Sequence, residues 1–76
     1  MSDTFQTSDL ALTTYLTINN FLFVNANRRD PKRVVFEFQE TPVLLKHVEK
    51  FWNGKTLVEP FSFLQATKRI KAKIYT

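Results

Sequence analysis

The recurrence of apolar side chains at every second position over residues 33–39 is the feature that most constrains the fold of this chain. Val34, Phe36 and Phe38 fall on one side of an extended segment; the other side is half polar and carries Val35, Glu37 and Gln39. A period of two is the geometry of a β-strand with one buried face. The segment therefore predicts a strand that places its Phe side chains in a core.

A second apolar run, residues 21–26, precedes this strand and predicts its antiparallel partner in a β-hairpin. The run is apolar on both sides, because Phe21 and Phe23 alternate with Leu22 and Val24. One of these two pairs must face something other than the central core, and the sequence leaves open which. An exposed Phe pair would offer rings for stacking on the bases of a single-stranded nucleic acid, whereas a buried pair would belong to the core.

The segment between the two runs combines a turn signal with a high density of positive charge. Asp-Pro initiates turns, but the Asn-Gly of the tightest hairpins is absent, so residues 27–32 are predicted to form a longer loop. Such a loop can follow a phosphate backbone, and Arg adds bidentate contacts. The alternative interpretation is a solvated hairpin tip. Four of the six residues at positions 28–33 are basic: Arg28, Arg29, Lys32 and Arg33.

The residues before the hairpin predict a short strand and a helix. Residues 4–7 favour an edge strand at the margin of the sheet. Apolar side chains then recur at three- and four-residue spacing, which predicts a helix over about 8–19 with Ser8 or Thr7 as its N-cap. Asn20 tolerates the left-handed conformation in which helices commonly end.

Two further helices are predicted after the hairpin. Thr41 and Pro42 are a strong helix start, and Gly54, the single glycine, suits a left-handed C-terminal cap. Pro60 is predicted to open the last helix. The predicted fold is a single α+β domain over residues 1–76 with the order (β)αββαα, in which an antiparallel hairpin sheet packs against three helices.

The composition excludes several kinds of site and favours an anionic partner. No Cys is present, which excludes disulfides, thiolate metal sites and a cysteine nucleophile. The net charge of +4 and the pI near 9.7 favour anionic partners through the field of the whole molecule. The first residues lack a signal-peptide pattern, and no apolar run approaches the roughly 18 residues of a membrane span, so we expect a cytoplasmic protein with no membrane partner.

The sequence contains no catalytic or metal-binding signature, and we expect no enzyme activity, no cofactor and no bound metal. His47 is the single histidine and is predicted on the water-facing side of its helix. The seven acidic residues are scattered, so neither an imidazole pair nor a carboxylate cluster is evident. With one glycine, a glycine-rich phosphate-binding loop is not possible.

Further candidate binding residues lie on the last two predicted helices. The final helix is cationic with no acid after Glu59, which fits a phosphate-contacting surface or simply a solvated face that complements the helix dipole. Trp52 is a stacking side chain or a partly buried anchor. The candidate nucleic-acid-binding residues are Phe21, Phe23, Arg28, Arg29, Lys32, Arg33, Trp52, Lys68, Arg69, Lys71 and Lys73.

Four short motifs are spread along the chain: Phe5-x-Thr7-x-Asp9-x-Ala11, Arg33-Val-Val-Phe-Glu-Phe38, Thr41-Pro42 and Phe51-Trp52-Asn53-Gly54. Together they resemble those of a family of small uncharacterised domains, of unknown function, from prokaryotes and their viruses. The resemblance spans nearly the whole chain, and its motifs are caps, turns and core positions. It therefore implies a shared fold and a prokaryotic or viral source, and no particular activity.

Two functions are compatible with these features. The leading hypothesis is a small non-enzymatic nucleic-acid-binding protein, with single-stranded DNA or RNA favoured over duplex, that places basic residues on phosphates and exposed aromatics on bases. The alternative is a protein-interaction or homodimeric assembly module with no nucleic-acid role, because a domain this small has a thin core and gains from covering apolar surface. Two basic clusters beside unassigned aromatics favour the first.

Overall fold

A three-stranded antiparallel sheet and three helices make up the part of the chain that the computed structural model describes, residues 3–30, 33–54 and 59–74. The strand order in the sheet is β1-β3-β2. This architecture confirms the predicted α+β class and the order βαββαα, including the short first strand. The elements are β1 (Thr4–Thr7), α1 (Leu10–Ile18), β2 (Phe23–Asp30), β3 (Arg33–Gln39), α2 (Pro42–Trp52) and α3 (Pro60–Ile74).

The central strand β3 supplies the sheet's contribution to the core. Phe38 of β3 lies opposite Phe5 of β1 on one side and opposite Phe23 of β2 on the other. Phe36 and Phe38 are 2% and 1% exposed, and Val34 is partly buried against the same core. The prediction that these alternate residues of β3 share a buried face is confirmed. Full burial of a Phe side chain stabilises a fold by about 1.5–3 kcal/mol, so two of them matter in a domain of this size.

Helix α1 is buried all round along Leu12–Leu16, where the sequence predicted only one apolar face. Thr13 and Thr14 are both 0% exposed, because α1 packs against α2 and α3. Their hydroxyl groups donate to the backbone carbonyls four residues earlier at 2.9 and 2.8 Å, and Thr14 Oγ1 also lies 3.1 Å from Thr67 Oγ1 of α3. These hydrogen bonds allow the hydroxyl groups to be buried.

The start of α1 differs from the prediction of Ser8 or Thr7 as the N-cap. Asp9 is the N-cap, and its Oδ1 accepts the N–H of Leu12 at 3.2 Å. Thr7 is instead the last residue of β1. Its hydroxyl oxygen accepts the N–H of Asp9 at 3.1 Å. At the other end, Asn20 adopts φ = 69°, the left-handed conformation predicted for that position.

The predicted caps of the last two helices are confirmed. Thr41 is the N-cap of α2 and its hydroxyl oxygen accepts the N–H of Leu44 at 3.1 Å, while Gly54 beyond the C-terminus of α2 has φ = 69°. Pro60 opens α3. The carboxylate of Glu59 accepts the N–H of Ser62 at 2.7 Å and of Phe61 at 3.0 Å, and these bonds lower the pKa of the Glu59 carboxyl group.

The first strand of the hairpin is longer and later than the predicted run over residues 21–26, and the predicted loop over 27–32 is wrong in its first four residues. β2 continues to Asp30, which pairs with Arg33, through irregular pairing between Phe23 and Asn25 and between Asn27 and Asp30. Such bulges let a polar strand remain paired while its twist changes. Pro31 and Lys32 lie outside the described residues.

The open question of which apolar pair faces outward is also answered. Leu22 and Val24 are 70% and 65% exposed, whereas Phe21 and Phe23 pack against the core. The N–H of Phe21 donates to the carbonyl of Leu16 at 2.9 Å, so this residue is tied to the end of α1 and not to the sheet. The local pattern could not show this, because it depends on how α1 leads into β2.

Candidate functional site

The C-terminal end of α3 meets β2, and this junction brings together basic residues that are far apart in the sequence. Nη1 of Arg28 donates to the backbone carbonyl of Ile74 at 2.8 Å. Nζ of Lys73 lies 6.0 Å from the centroid of the Phe23 ring, within the range of a cation–π contact. Two of the sequence-predicted clusters, one on the hairpin and one on the last helix, therefore share one end of the molecule.

An open groove of about 840 Å³ lies beside this junction, between α3 and the segment that leads from α1 into β2. Its α3 wall includes Phe61, Gln65, Arg69 and Lys73, which follow one another at four-residue intervals. This spacing places them in a row that extends over about 18 Å and winds by about 120° around the helix. The facing wall includes Thr17, Ile18, Leu22 and Phe23.

The groove joins apolar walls to positive charge. Ile18, Leu22, Phe23 and Phe61 supply apolar surface, and Arg69 and Lys73 supply two cations toward the C-terminal end of α3. None of the described residues that line the groove is acidic. Helix α3 itself contains no acidic residue, and Glu59, which precedes it, accepts N–H groups at the opposite end of the helix. An anionic ligand with apolar or aromatic parts fits this arrangement.

The structure gathers only some of the predicted basic residues around the groove. Arg69 and Lys73 line it, and Arg28 lies at the junction with α3. Arg29 and Arg33 are exposed on β2 and at the start of β3. Lys68 and Lys71 are exposed on α3 but are not among the lining residues, and Lys32 lies outside the described residues.

The predicted aromatic residues separate in a similar way. Phe23 lines the groove and packs edge-on against Phe36 with ring centroids 5.2 Å apart. Phe21 is half-buried and its ring meets that of His47 edge-on at 5.1 Å, away from the groove. Trp52 is 61% exposed at the end of α2, 5.2 Å from the ring of Phe51. Trp52 is therefore accessible, but it is not among the groove residues.

His47 was expected to face water and is instead partly buried. Its Nδ1 lies 3.3 Å from the hydroxyl of Tyr15, in addition to the contact of its ring with Phe21. The helical pattern of α2 places His47 on the polar face. In the folded chain Phe21 and Tyr15 contact it there, and the local pattern does not contain these contacts. These contacts give His47 a role in joining α1, α2 and the start of the hairpin.

Sequence reasoning did not single out Phe61, the most exposed aromatic side chain of the groove at 66%. A signal was present: Phe61 lies about 200° around the helix from Phe63, which belongs to the buried stripe of α3. A large aromatic opposite the buried stripe is a candidate for contact with a partner. Leu22, on the facing wall, belongs to one of the two apolar pairs that the hairpin pattern allowed to face outward.

Two further properties of the described residues bear on function. No group of three or more His, Asp or Glu side chains is placed there to hold a metal ion. No helix in the described ranges combines the length and apolar character needed to cross a bilayer.

Comparison with known proteins identifies a family without assigning an activity. No significant match was found among curated proteins or among solved structures. The family model of a domain of unknown function, DUF5659, matches residues 2–76. Because this match covers nearly the whole chain, the protein belongs to the DUF5659 family.

Proposed function

We propose that this protein is a non-enzymatic nucleic-acid-binding protein that favours single-stranded DNA or RNA over duplex. The observation that carries the proposal is the hydrogen bond from Arg28 to the carbonyl of Ile74, because it places the basic strand beside the basic end of α3. Phosphate contacts by Lys and Arg supply most of the affinity of such proteins. Arg69 and Lys73 on α3 and the exposed Arg29 on β2 are the cations that we propose contact the phosphates of a strand.

The same hydrogen bond removes an electrostatic obstacle. The C-terminus of a helix carries partial negative charge on its unpaired carbonyls, which disfavours a phosphate nearby. Arg28 covers the Ile74 carbonyl, and Lys71 and Lys73 lie in the last turn of α3. This end of the helix is therefore positive, although its backbone alone would make it negative.

The experiment is a titration of a fluorescently labelled oligonucleotide by anisotropy at two salt concentrations. We expect micromolar or tighter binding that weakens with salt, because contacts with phosphates release counterions. Neutralising Arg29 and Arg69 by Arg→Gln should lower the slope of log K against log salt by about 1.4 for a single strand, about 0.7 for each contact removed.

Lys46 and Lys50 provide the matched control. Both are exposed on α2, so Lys→Gln at these two positions removes the same net charge from a different surface. The control should keep most of the affinity. If both double variants lose the same affinity, binding depends on net charge and not on this surface. If the unaltered protein shows no salt-dependent binding, the proposal is refuted.

Exposed apolar side chains favour one alternative function, a protein-interaction or homodimeric assembly module. They include Leu22, Val24, Val43, Leu45, Trp52, Phe61 and Leu64, each at least 42% exposed. Apolar surface on a small domain can mark an interface. Light scattering separates the two functions: an assembly module should lose mass with Leu22→Ser and Val24→Ser and keep it with Arg29→Glu, whereas a monomeric nucleic-acid binder should show one mass throughout.

We further propose the cytoplasm of a prokaryotic cell, or of a virus-infected host cell, as the setting for this activity. The family resemblance to domains from prokaryotes and their viruses, which rests on the motifs quoted from the sequence, supports this setting. The absence of Cys suits a reducing compartment. Localisation of a tagged copy in the source cell provides the test.

A further inference from the structure

We propose that the groove between α3 and the α1–β2 segment receives unstacked bases of a single strand, with Phe61 as the principal stacking residue. This inference rests on the proposed nucleic-acid function and adds a base-binding site to it. It also gives the preference for single strands a physical cause, since bases held in a stacked duplex do not present their faces to a protein.

The first support is the exposure of the apolar side chains on both walls. Phe61 is 66% exposed on the α3 wall and Leu22 is 70% exposed on the facing wall. Each leaves apolar surface in water that a ligand between the walls would cover. Every base has an aromatic face, so stacking on Phe61 needs no particular sequence. Phe23, at the same groove, is held edge-on by Phe36 and Phe38 and gives a rigid floor.

The second support is the set of neutral polar side chains between these apolar residues. Thr17, Ser62 and Gln65 line the groove. The Thr17 hydroxyl donates to the carbonyl of Thr13 at 2.8 Å, which leaves its oxygen lone pairs as acceptors. The Gln65 amide offers both donors and an acceptor. The edges of a base form hydrogen bonds with hydroxyl and amide groups of this kind. The apolar face of an amphipathic helix would leave these groups without partners, so the groove suits a base better than a helical peptide.

The third support is the order of the residues along α3. Phe61 and Gln65 line the groove on the N-terminal half of α3, and Arg69 and Lys73 line it further along the helix toward the basic junction. A strand lying along the helix could place bases in the first half and phosphates against the second. The positive charge of Arg69 and Lys73 favours an anionic occupant. The hydroxyl and amide groups that line the groove favour an occupant whose uncharged part forms hydrogen bonds.

The test compares two labelled strands of equal length, an oligothymidylate and an abasic strand with the same number of phosphates. We expect the unaltered protein to bind the oligothymidylate more tightly. Phe61→Ala should weaken that binding by about 5- to 150-fold, the range for loss of stacking on one base, and should leave binding of the abasic strand unchanged. Leu64→Ala is the matched control, because Leu64 is 60% exposed on the same helix and is not among the groove residues.

The outcomes separate this inference from the function on which it rests. Equal affinity for both strands, or an unchanged affinity in Phe61→Ala, overturns the base site while phosphate binding stands. Binding of neither strand overturns both proposals. A glutamate-rich amphipathic peptide is titrated in parallel; if it alone binds, and Phe61→Ala abolishes that binding, the groove belongs to a protein partner and the base site is refuted. Circular dichroism verifies the fold of each variant.

Discussion

Replacement of Arg28 by Met tests the contact that joins the hairpin to the last helix. Met keeps an unbranched side chain that can cover the same surface but removes the guanidinium that donates to the Ile74 carbonyl at 2.8 Å. An average hydrogen bond contributes about 0.5–1.5 kcal/mol, and a cation at a helix C-terminus adds about 0.3–1 kcal/mol at an exposed site. Because Arg28 is exposed and water competes for the same carbonyl, we expect a net loss of about 1 kcal/mol.

A loss of about 1 kcal/mol is measurable in a domain of this size. It should lower Tm by about 4–8 °C, and in urea it should lower the midpoint without a change in the slope m, since the surface exposed on unfolding stays the same. Arg29→Met is the control. Arg29 is exposed on the same strand and the substitution removes the same charge, but the donor to α3 stays in place. We expect the control to change stability by no more than about 0.5 kcal/mol, which corresponds to about 2–4 °C in Tm.

Two results would refute this reasoning. If Arg28→Met is as stable as the unaltered protein, the contact with Ile74 contributes nothing to stability. If Arg29→Met is equally destabilised, the effect comes from the charge on β2 and not from the hydrogen bond. Arg28→Lys provides a second check, because it keeps the charge near the helix end and should recover part of the loss.

The helix caps yield two more predictions. Hydrogen bonds from Ser62 and Phe61 lower the pKa of Glu59, so its contribution to stability should be present above its unfolded pKa near 4.5 and be lost as pH falls through the lower folded value. Glu59→Gln should therefore be less stable than the unaltered protein in urea at pH 7, and the difference should shrink as the pH is lowered below 4.5; a difference that stays constant with pH would contradict this. Gly54 has φ = 69° with nothing within 4 Å of an added Cβ, so Gly54→Ala should cost about 1 kcal/mol through backbone strain alone. Gly54→Asn should cost less, because Asn tolerates that conformation, and a thermal melt in which Asn is the worse replacement would contradict the assignment.

Local signals were sufficient wherever neighbouring residues decide the outcome. The alternation over β3 predicted its buried Phe residues, and Thr41, Pro42 and Gly54 predicted the ends of α2. Such signals work because strand facing and helix capping depend on side chains within a few positions of one another. The N-cap of α1 was misplaced because Thr7 belongs to the sheet, and pairing with β3 is not a local property.

The candidate site could be predicted only in part for the same reason. The sequence identified the basic residues of the hairpin and of the last helix, because charge is visible residue by residue. It could not show that Arg28 bonds the end of α3, that Arg69 and Lys73 line a groove, or that Phe61 stands on its wall. Those statements depend on the packing of elements that are up to 46 positions apart.

The sequence by itself determined the α+β class, the order of the elements, the core face of β3 and the positive charge of the chain. Only the tertiary structure decided which side of the first hairpin strand is exposed: Leu22 and Val24 face outward because the end of α1 holds Phe21 inward. It also decided that the two basic clusters meet. The physical reason is that period and charge are written along the chain, whereas exposure and proximity follow from the packing of distant segments.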